Sequence, residues 1–266
     1  MKKIKLLIAL SVFAFMFSSC SKDEGTASDN ANQVQAQKYY PGAVGTSYNY
    51  NVTFVNGGGQ SKQGLRYVRF TNQTQLGSTT YFVQSNRMIF SDDSTVSTSY
   101  FRKTDGGVYF FVDTTGLSNF IPDSLRSVLT VEIDKEQNIF NSTLDKNYPW
   151  KVYKMNVKYS NITFSIIDVT ASYLGSEDVV LGLNTGNVTK TAEKVKYLLT
   201  LSIPDITGTG SSKSGKFTAY GWYVKDLGVV KWDGNVTVLN AVSGNSIDFD
   251  DTTNTMTQVI SSYDIK

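Results

Sequence analysis

The chain has 266 residues, 25 of them Lys or Arg and 23 Asp or Glu, with one cysteine and no histidine. Absence of histidine excludes Ser-His-Asp and Cys-His catalysis and removes the usual nitrogen ligand of zinc, copper and iron, and a lone cysteine excludes an intramolecular disulfide. Three of the 25 basic residues stand within residues 1–19, so a chain cut after residue 19 keeps 22 against 23 acidic residues, a formal charge of −1, and gives no electrostatic case for nucleic acid.

Lys2, Lys3 and Lys5 precede a charge-free, apolar-rich run from Leu6 to Phe17. As a helix at roughly 1.5 Å per residue this run is too short for a bilayer, so residues 1–19 read as a secretion signal. Ser18, Ser19 and Cys20 resemble the bacterial lipobox, which implies a diacylglyceryl group on the Cys20 thiol, cleavage before it, and further acylation of the new amino terminus. Two or three acyl chains together hold a protein stably on a membrane. The implied partners are that membrane and the lipoprotein-processing and export machinery.

Residues 21–38 contain no aromatic residue and one larger aliphatic, Val34, so residues 20–38 are expected to be a lipidated cysteine on a disordered tether. Such a chain would reach about 20–25 Å. Within it Lys22, Asp23 and Glu24 resemble the lysine-plus-acids export signal of Bacteroidota lipoproteins. That resemblance implies an outer-membrane location facing the cell surface, with the periplasmic leaflet as the alternative.

Residues 39–266 form one expected β-rich domain, or two similar halves. Tyr48, Tyr50, Val52 and Phe54 alternate with Asn49, Asn51 and Thr53; Tyr153, Met155, Val157 and Tyr159 alternate with Lys154, Asn156 and Lys158; Val195, Tyr197, Leu199, Leu201 and Ile203 form a third such series. This period of two marks half-buried strands. Val108–Val112 is apolar on both faces and predicts a central, covered strand. Asp105-Gly106 and Asp233-Gly234 predict tight hairpin turns. Pro122 followed by Leu125, Val128 and Leu129 predicts one short helix. Phe217–Trp232 reads as a hairpin interior to the sheet, since both its faces are partly apolar. The sum is an all-β fold, a large curved antiparallel sheet (half-barrel or sandwich) with one short helix. Tyr40-Pro41 and Tyr148-Pro149-Trp150, each ahead of a strand, are the only hint of repeated halves.

The chemistry-bearing motifs are weak. Gly210 to Lys216 has P-loop spacing, but Phe217 stands where a hydroxyl should meet magnesium, and a strand follows where a helix is required. Asp248, Asp250, Asp251 and Asn254 lack the spacing of a calcium loop. Glu132, Asp134 and Glu136 would share one strand face, which a solvated surface explains without catalysis. No catalytic residue, metal site or cofactor is therefore expected. Trp150, Trp222 and Trp232 are candidate ligand-binding residues, as sugar-stacking platforms or cavity walls, although core packing is the favoured reading of each.

Two stretches carry a family resemblance: Tyr40-Pro41 with Gly45, Tyr48 and Tyr50, and Gly221-Trp222-Tyr223-Val224 with Gly228-Val229-Val230-Lys231. Together they resemble uncharacterised β-rich envelope lipoproteins of Bacteroidota, similar to the half-barrels of the lipoprotein-localisation factors. The resemblance implies a concave apolar face suited to acyl chains or a partner's segment, and brings no catalytic residues. The expected function is a non-enzymatic, membrane-anchored envelope lipoprotein binding a hydrophobic or protein ligand. A surface glycan-binding module and a structural envelope protein are the alternatives.

Overall fold

The computed structural model describes residues 35–91, 93–112, 129–159, 161–203, 212–243 and 252–266. Cys20, Lys22, Asp23, Glu24, the Pro122 segment, Gly210 and Asp248–Asp251 lie outside the described residues. Strand makes up 74% of what is described, in one antiparallel sheet that does not close into a barrel. Of the two expected architectures the chain adopts the single curved sheet, and the sandwich is excluded.

The strands are β1 (Ser47–Val55), β2 (Ser61–Leu76), β3 (Thr79–Phe90), β4 (Ser94–Lys103), β5 (Gly107–Phe111), β6 (Leu129–Ile133), β7 (Glu136–Asn141), β8 (Pro149–Tyr159), β9 (Ile162–Leu183), β10 (Gly186–Ile203), β11 (Lys213–Val224), β12 (Gly228–Asn235) and β13 (Thr255–Asp264). Their order across the sheet is β6-β8-β9-β10-β11-β12-β13-β1-β2-β3-β4-β5-β7. Two up-and-down meanders, β1–β5 and β8–β12, thus flank β13, and the Tyr40-Pro41 and Tyr148-Pro149 dipeptides stand at the head of each.

β6 and β7 are separated by Asp134 and Lys135 alone, yet one pairs with β8 and the other with β5, at opposite ends of the sheet. The curl therefore brings both ends to a single stretch of chain. Bulges in the ladders, among them those at Asn49/Tyr50, Lys194/Val195 and Trp222/Tyr223, supply local bend and twist for this curvature. Between β7 and the strands β8 and β10 side chains take the place of a ladder. Trp150 Nε1 donates to the Asn138 carbonyl at 3.0 Å, and the Tyr197 hydroxyl donates to the Ile139 carbonyl at 2.6 Å. Capping the outer edge of β7 in this way limits the hazard of an unpaired strand.

The alternation read from the sequence places the core. Tyr48, Tyr50 and Val52 are buried on β1; Tyr153, Met155 and Val157 on β8; Val195, Tyr197, Leu199 and Leu201 on β10. An aromatic cluster centres on fully buried Phe101, with ring centroids of Phe70, Tyr40, Phe82 and Phe110 at 4.7, 4.9, 5.2 and 5.6 Å. Beyond the Gly175/Lys194 irregularity the long β9–β10 hairpin packs back against β13: Leu181 is buried, and Asn184 N donates to the Ser261 carbonyl at 2.9 Å.

Four local readings are corrected. Folded chain begins before Tyr39, because Ala36–Tyr39 form a 3₁₀ helix whose Ala36 and Tyr39 are buried. The strand at Val108 is β5, second from one end of the sheet rather than central; its cover comes from the curl. Asp233-Gly234 is not a turn but part of β12, paired on both sides. There Gly234 (φ +134°) fits because a Cβ would stand 2.6 Å from the Ala219 Cα and 2.7 Å from the Thr218 carbonyl oxygen. Finally, a helix that the sequence reading missed, α1 (Val236–Val242), follows β12, with the Asn235 side chain accepting from the Thr237 and Val238 amides. Among the described residues no helix is long and apolar enough to cross a membrane.

Candidate functional site: the Arg66 pocket

Among the described residues a cavity of about 30 Å³ is lined by Tyr40, Tyr48, Tyr50, Arg66, Trp232 and Val242 among others. Its chemically distinctive member is Arg66, which is 7% exposed. The guanidinium sits on β2 in phase with buried Val68 and Phe70, opposite Tyr50 of β1.

Neutral groups surround it. Arg66 Nη1 donates to Gln258 Oε1 and Nη2 to Asn86 Oδ1, both at 2.7 Å. Its carbon lies 5.7 Å from the centroid of the Tyr50 ring. Asn86 Oδ1 also accepts from Gln84 Nε2 at 3.1 Å, while Gln84 Nε2 and Asn86 Nδ2 both donate to Ser99 Oγ, at 3.2 and 3.3 Å. The Tyr40 hydroxyl donates to Gln84 Oε1 at 2.6 Å, and that of Tyr50 to the Val229 carbonyl at 2.8 Å. β2, β3, β4 and β13 are thereby tied by one buried polar network. Among the described residues no carboxylate lies within ion-pair distance of Arg66.

The electrostatics follow from burial. Desolvation draws the Arg66 guanidinium below its ordinary value, against the opposing influence of Tyr50 and Tyr40. Burial pushes the Tyr50 hydroxyl up to about 12, with Arg66 working against it, and raises Tyr40 and Tyr48 as well. All three phenols thus stay protonated across the physiological range and act as hydrogen-bond donors, not as bases.

The three tryptophans do not meet in one site. Trp232 is buried and lines the cavity, its ring 5.6 Å from Tyr197 and 5.9 Å from Tyr223. Trp150 is half-buried and capped onto β7. Trp222, buried on the opposite face of β11 from Tyr223, donates Nε1 to Glu177 Oε1 at 2.5 Å; the Lys231 and Lys194 amines lie 4.4 and 4.9 Å from its ring centroid. No row of exposed indoles is formed. The three acids read as one strand face are divided between β6, the crossing segment and β7. Glu136 is held by Arg102 through two bonds of 2.6 Å and by the Tyr81 hydroxyl at 2.6 Å.

Reading the sequence for motifs passed over Arg66. The available signal was parity: in Arg66-Tyr67-Val68-Arg69-Phe70 an arginine occupies an apolar phase. Gln84 and Asn86 break phase with Phe82 and Met88 in the same manner.

No family model matches the chain, and no curated protein matches it. Three solved structures are similar to it. One is a Bacteroides fragilis protein described as exported and of YmcC-like fold (TM-score 0.44, 12% identity, 84% of this chain and 97% of that one). Another is a Parabacteroides distasonis protein described as a lipoprotein (TM-score 0.43, 12% identity, 85% and 98%). The third is the hypothetical lipoprotein YmcC of Escherichia coli (TM-score 0.32, 14% identity, 89% and 92%). At such scores and identities no function passes from them to this chain.

Proposed function

We propose that this chain is a non-enzymatic outer-membrane lipoprotein, anchored by acyl chains on Cys20 and displayed at the cell surface, that engages a protein partner through its exterior. The anchor rests on the Lys-rich start, the short apolar run and the lipobox-like Ser18-Ser19-Cys20. The mode of engagement rests on one observation, the small size of the Arg66 cavity. A cavity of about 30 Å³ is an order of magnitude below the few hundred Å³ that small-molecule pockets usually offer, so an acyl chain has no room there. The tryptophan platforms that would favour a glycan are not available, since Trp222 and Trp232 are 4% and 7% exposed.

Detergent phase partitioning tests the anchor. Wild-type protein should enter the detergent phase and Cys20→Ala the aqueous phase; equal partitioning would refute the lipobox. Antibody staining of intact cells tests display, since changing Lys22, Asp23 and Glu24 together to alanine should abolish staining without releasing the protein from the membrane. Saturable binding of a fluorescent fatty acid to the wild-type chain would overturn this reading of the cavity.

A further inference from the structure

We propose that the Arg66 pocket binds one compact monoanion, a halide or the carboxylate of a short organic acid, which serves as counter-ion to the buried guanidinium. A buried charge is costly unless it is paired and hydrogen-bonded. Here the hydrogen bonding is only partly supplied: Gln258 and Asn86 take one N–H from each of two nitrogens, out of the five that a guanidinium carries. Pairing is not supplied by any described residue. Amide oxygens contribute dipoles, and the Tyr50 ring contributes its face, but neither contributes a full negative charge.

The cavity is of the right size and in the right place. Arg66 forms part of its wall, and about 30 Å³ accommodates a small ion or a water or two. The remaining wall is mixed: Tyr40, Tyr48, Tyr50 and Gln84 carry polar groups, while Val68, Ile139 and Val242 are apolar. Such a pocket favours a weakly hydrated monoanion over phosphate or sulfate, whose heavier desolvation a single guanidinium could not offset. The proposal is independent of how the chain is anchored and of any partner on its exterior.

The test uses the full chain in non-ionic detergent at constant ionic strength, with sodium gluconate, too large for the cavity, replaced stepwise by sodium chloride or sodium acetate. The thermal midpoint of the wild type should rise and saturate, by about 5–10 °C once the anion exceeds its Kd a hundredfold. A response to chloride alone identifies a halide site, and a response to acetate identifies a carboxylate site. Gln258→Glu places a carboxylate 2.7 Å from Nη1 without changing side-chain length. It should raise the midpoint in gluconate and remove the anion response. Arg66→Met should remove the response too; should it fail to fold, Gln258→Glu alone decides the matter. A flat wild-type titration overturns the proposal, as does an equal response in wild type and Gln258→Glu, which would mark a general salt effect.

Discussion

Replacing Trp222 by alanine is expected to cost about 3–5 kcal/mol, because it deletes the largest kind of buried side chain and leaves a cavity that β-sheet neighbours cannot collapse into. The surroundings set where in that range the value falls. Trp222 is 4% exposed on the interior strand β11, between β10 and β12, and the Lys194 and Lys231 amines sit over its ring. Each ammonium adds about 0.5–1 kcal/mol of cation–π attraction at a part-exposed site. The indole N–H to Glu177 counts for less, since that carboxylate is 45% exposed and water can replace the donor. Trp222→Phe, which keeps a ring and loses only the N–H and part of the area, should therefore cost only about 1–2 kcal/mol. At about 2–4 °C per kcal/mol for a domain of this size, Trp222→Ala should lower Tm by about 10–15 °C and Trp222→Phe by about 5 °C. Urea denaturation followed by circular dichroism measures both. A soluble Trp222→Ala protein within about 1 kcal/mol of wild type would refute the packing argument and reopen the indole as a binding platform.

Glu136→Gln should destabilise the chain by about 1–2 kcal/mol at neutral pH, since Arg102 and Tyr81 both hold the ionised carboxylate and the pair is only a quarter exposed. Those hydrogen bonds, Arg102 foremost, place the Glu136 carboxyl below its ordinary value, so its contribution is present above the unfolded-state pKa and is lost as pH falls through the lower folded one. The gap between wild type and Glu136→Gln should accordingly narrow on acidification, and a gap independent of pH would count against the pairing. Gly234→Ala should cost about 3 kcal/mol or more from its backbone clash, whereas Gly186→Ala, at φ +121° with nothing within 4 Å, should cost only about 1–2 kcal/mol; equal losses would show that conformation, not space, governs both sites. Gln137 is 1% exposed with both amide atoms unpartnered, so Gln137→Leu should stabilise the chain by about 1 kcal/mol in urea titrations, and a loss of that size would reveal a partner for the amide.

Several strands were legible, among them β1, β8 and β10, because burial on one face imposes a period of two whatever the partner. Tyr48, Tyr50 and Val52, and Val195 through Leu201, needed only that rule. Pairing order was not legible, since alternation carries no information about which edge a strand meets. The clearest case is β6 and β7, two residues apart in sequence and at opposite ends of the sheet; a reading that treated Glu132, Asp134 and Glu136 as one face had to fail there. Asp233-Gly234 misled for a related reason. The same dipeptide suits a tight turn through positive φ and suits a crowded strand through its missing side chain, and only the neighbours Thr218 and Ala219 tell which. Val236–Val242 escaped notice because its valines and threonine favour strand locally; the Asn235 cap and burial against the sheet override that preference.

The Arg66 network suggests why a polar cluster persists in an interior otherwise built of aromatic rings. Apolar side chains tolerate a slip of one strand against the next by a repeat of two, since the same face stays buried. A guanidinium bonded to β13 on one side and β3 on the other does not, because a two-residue slip separates Arg66 from Gln258 or Asn86 and leaves each buried without a partner. β13 is the last strand in the chain and joins the two meanders, so its register decides whether both halves of the sheet fit together. An Arg66–Gln258–Asn86 lock at that junction fixes the register where an error would propagate furthest. Fixing β1 and β2 against β13 also fixes the curvature that brings β6 and β7 to the two ends of the sheet.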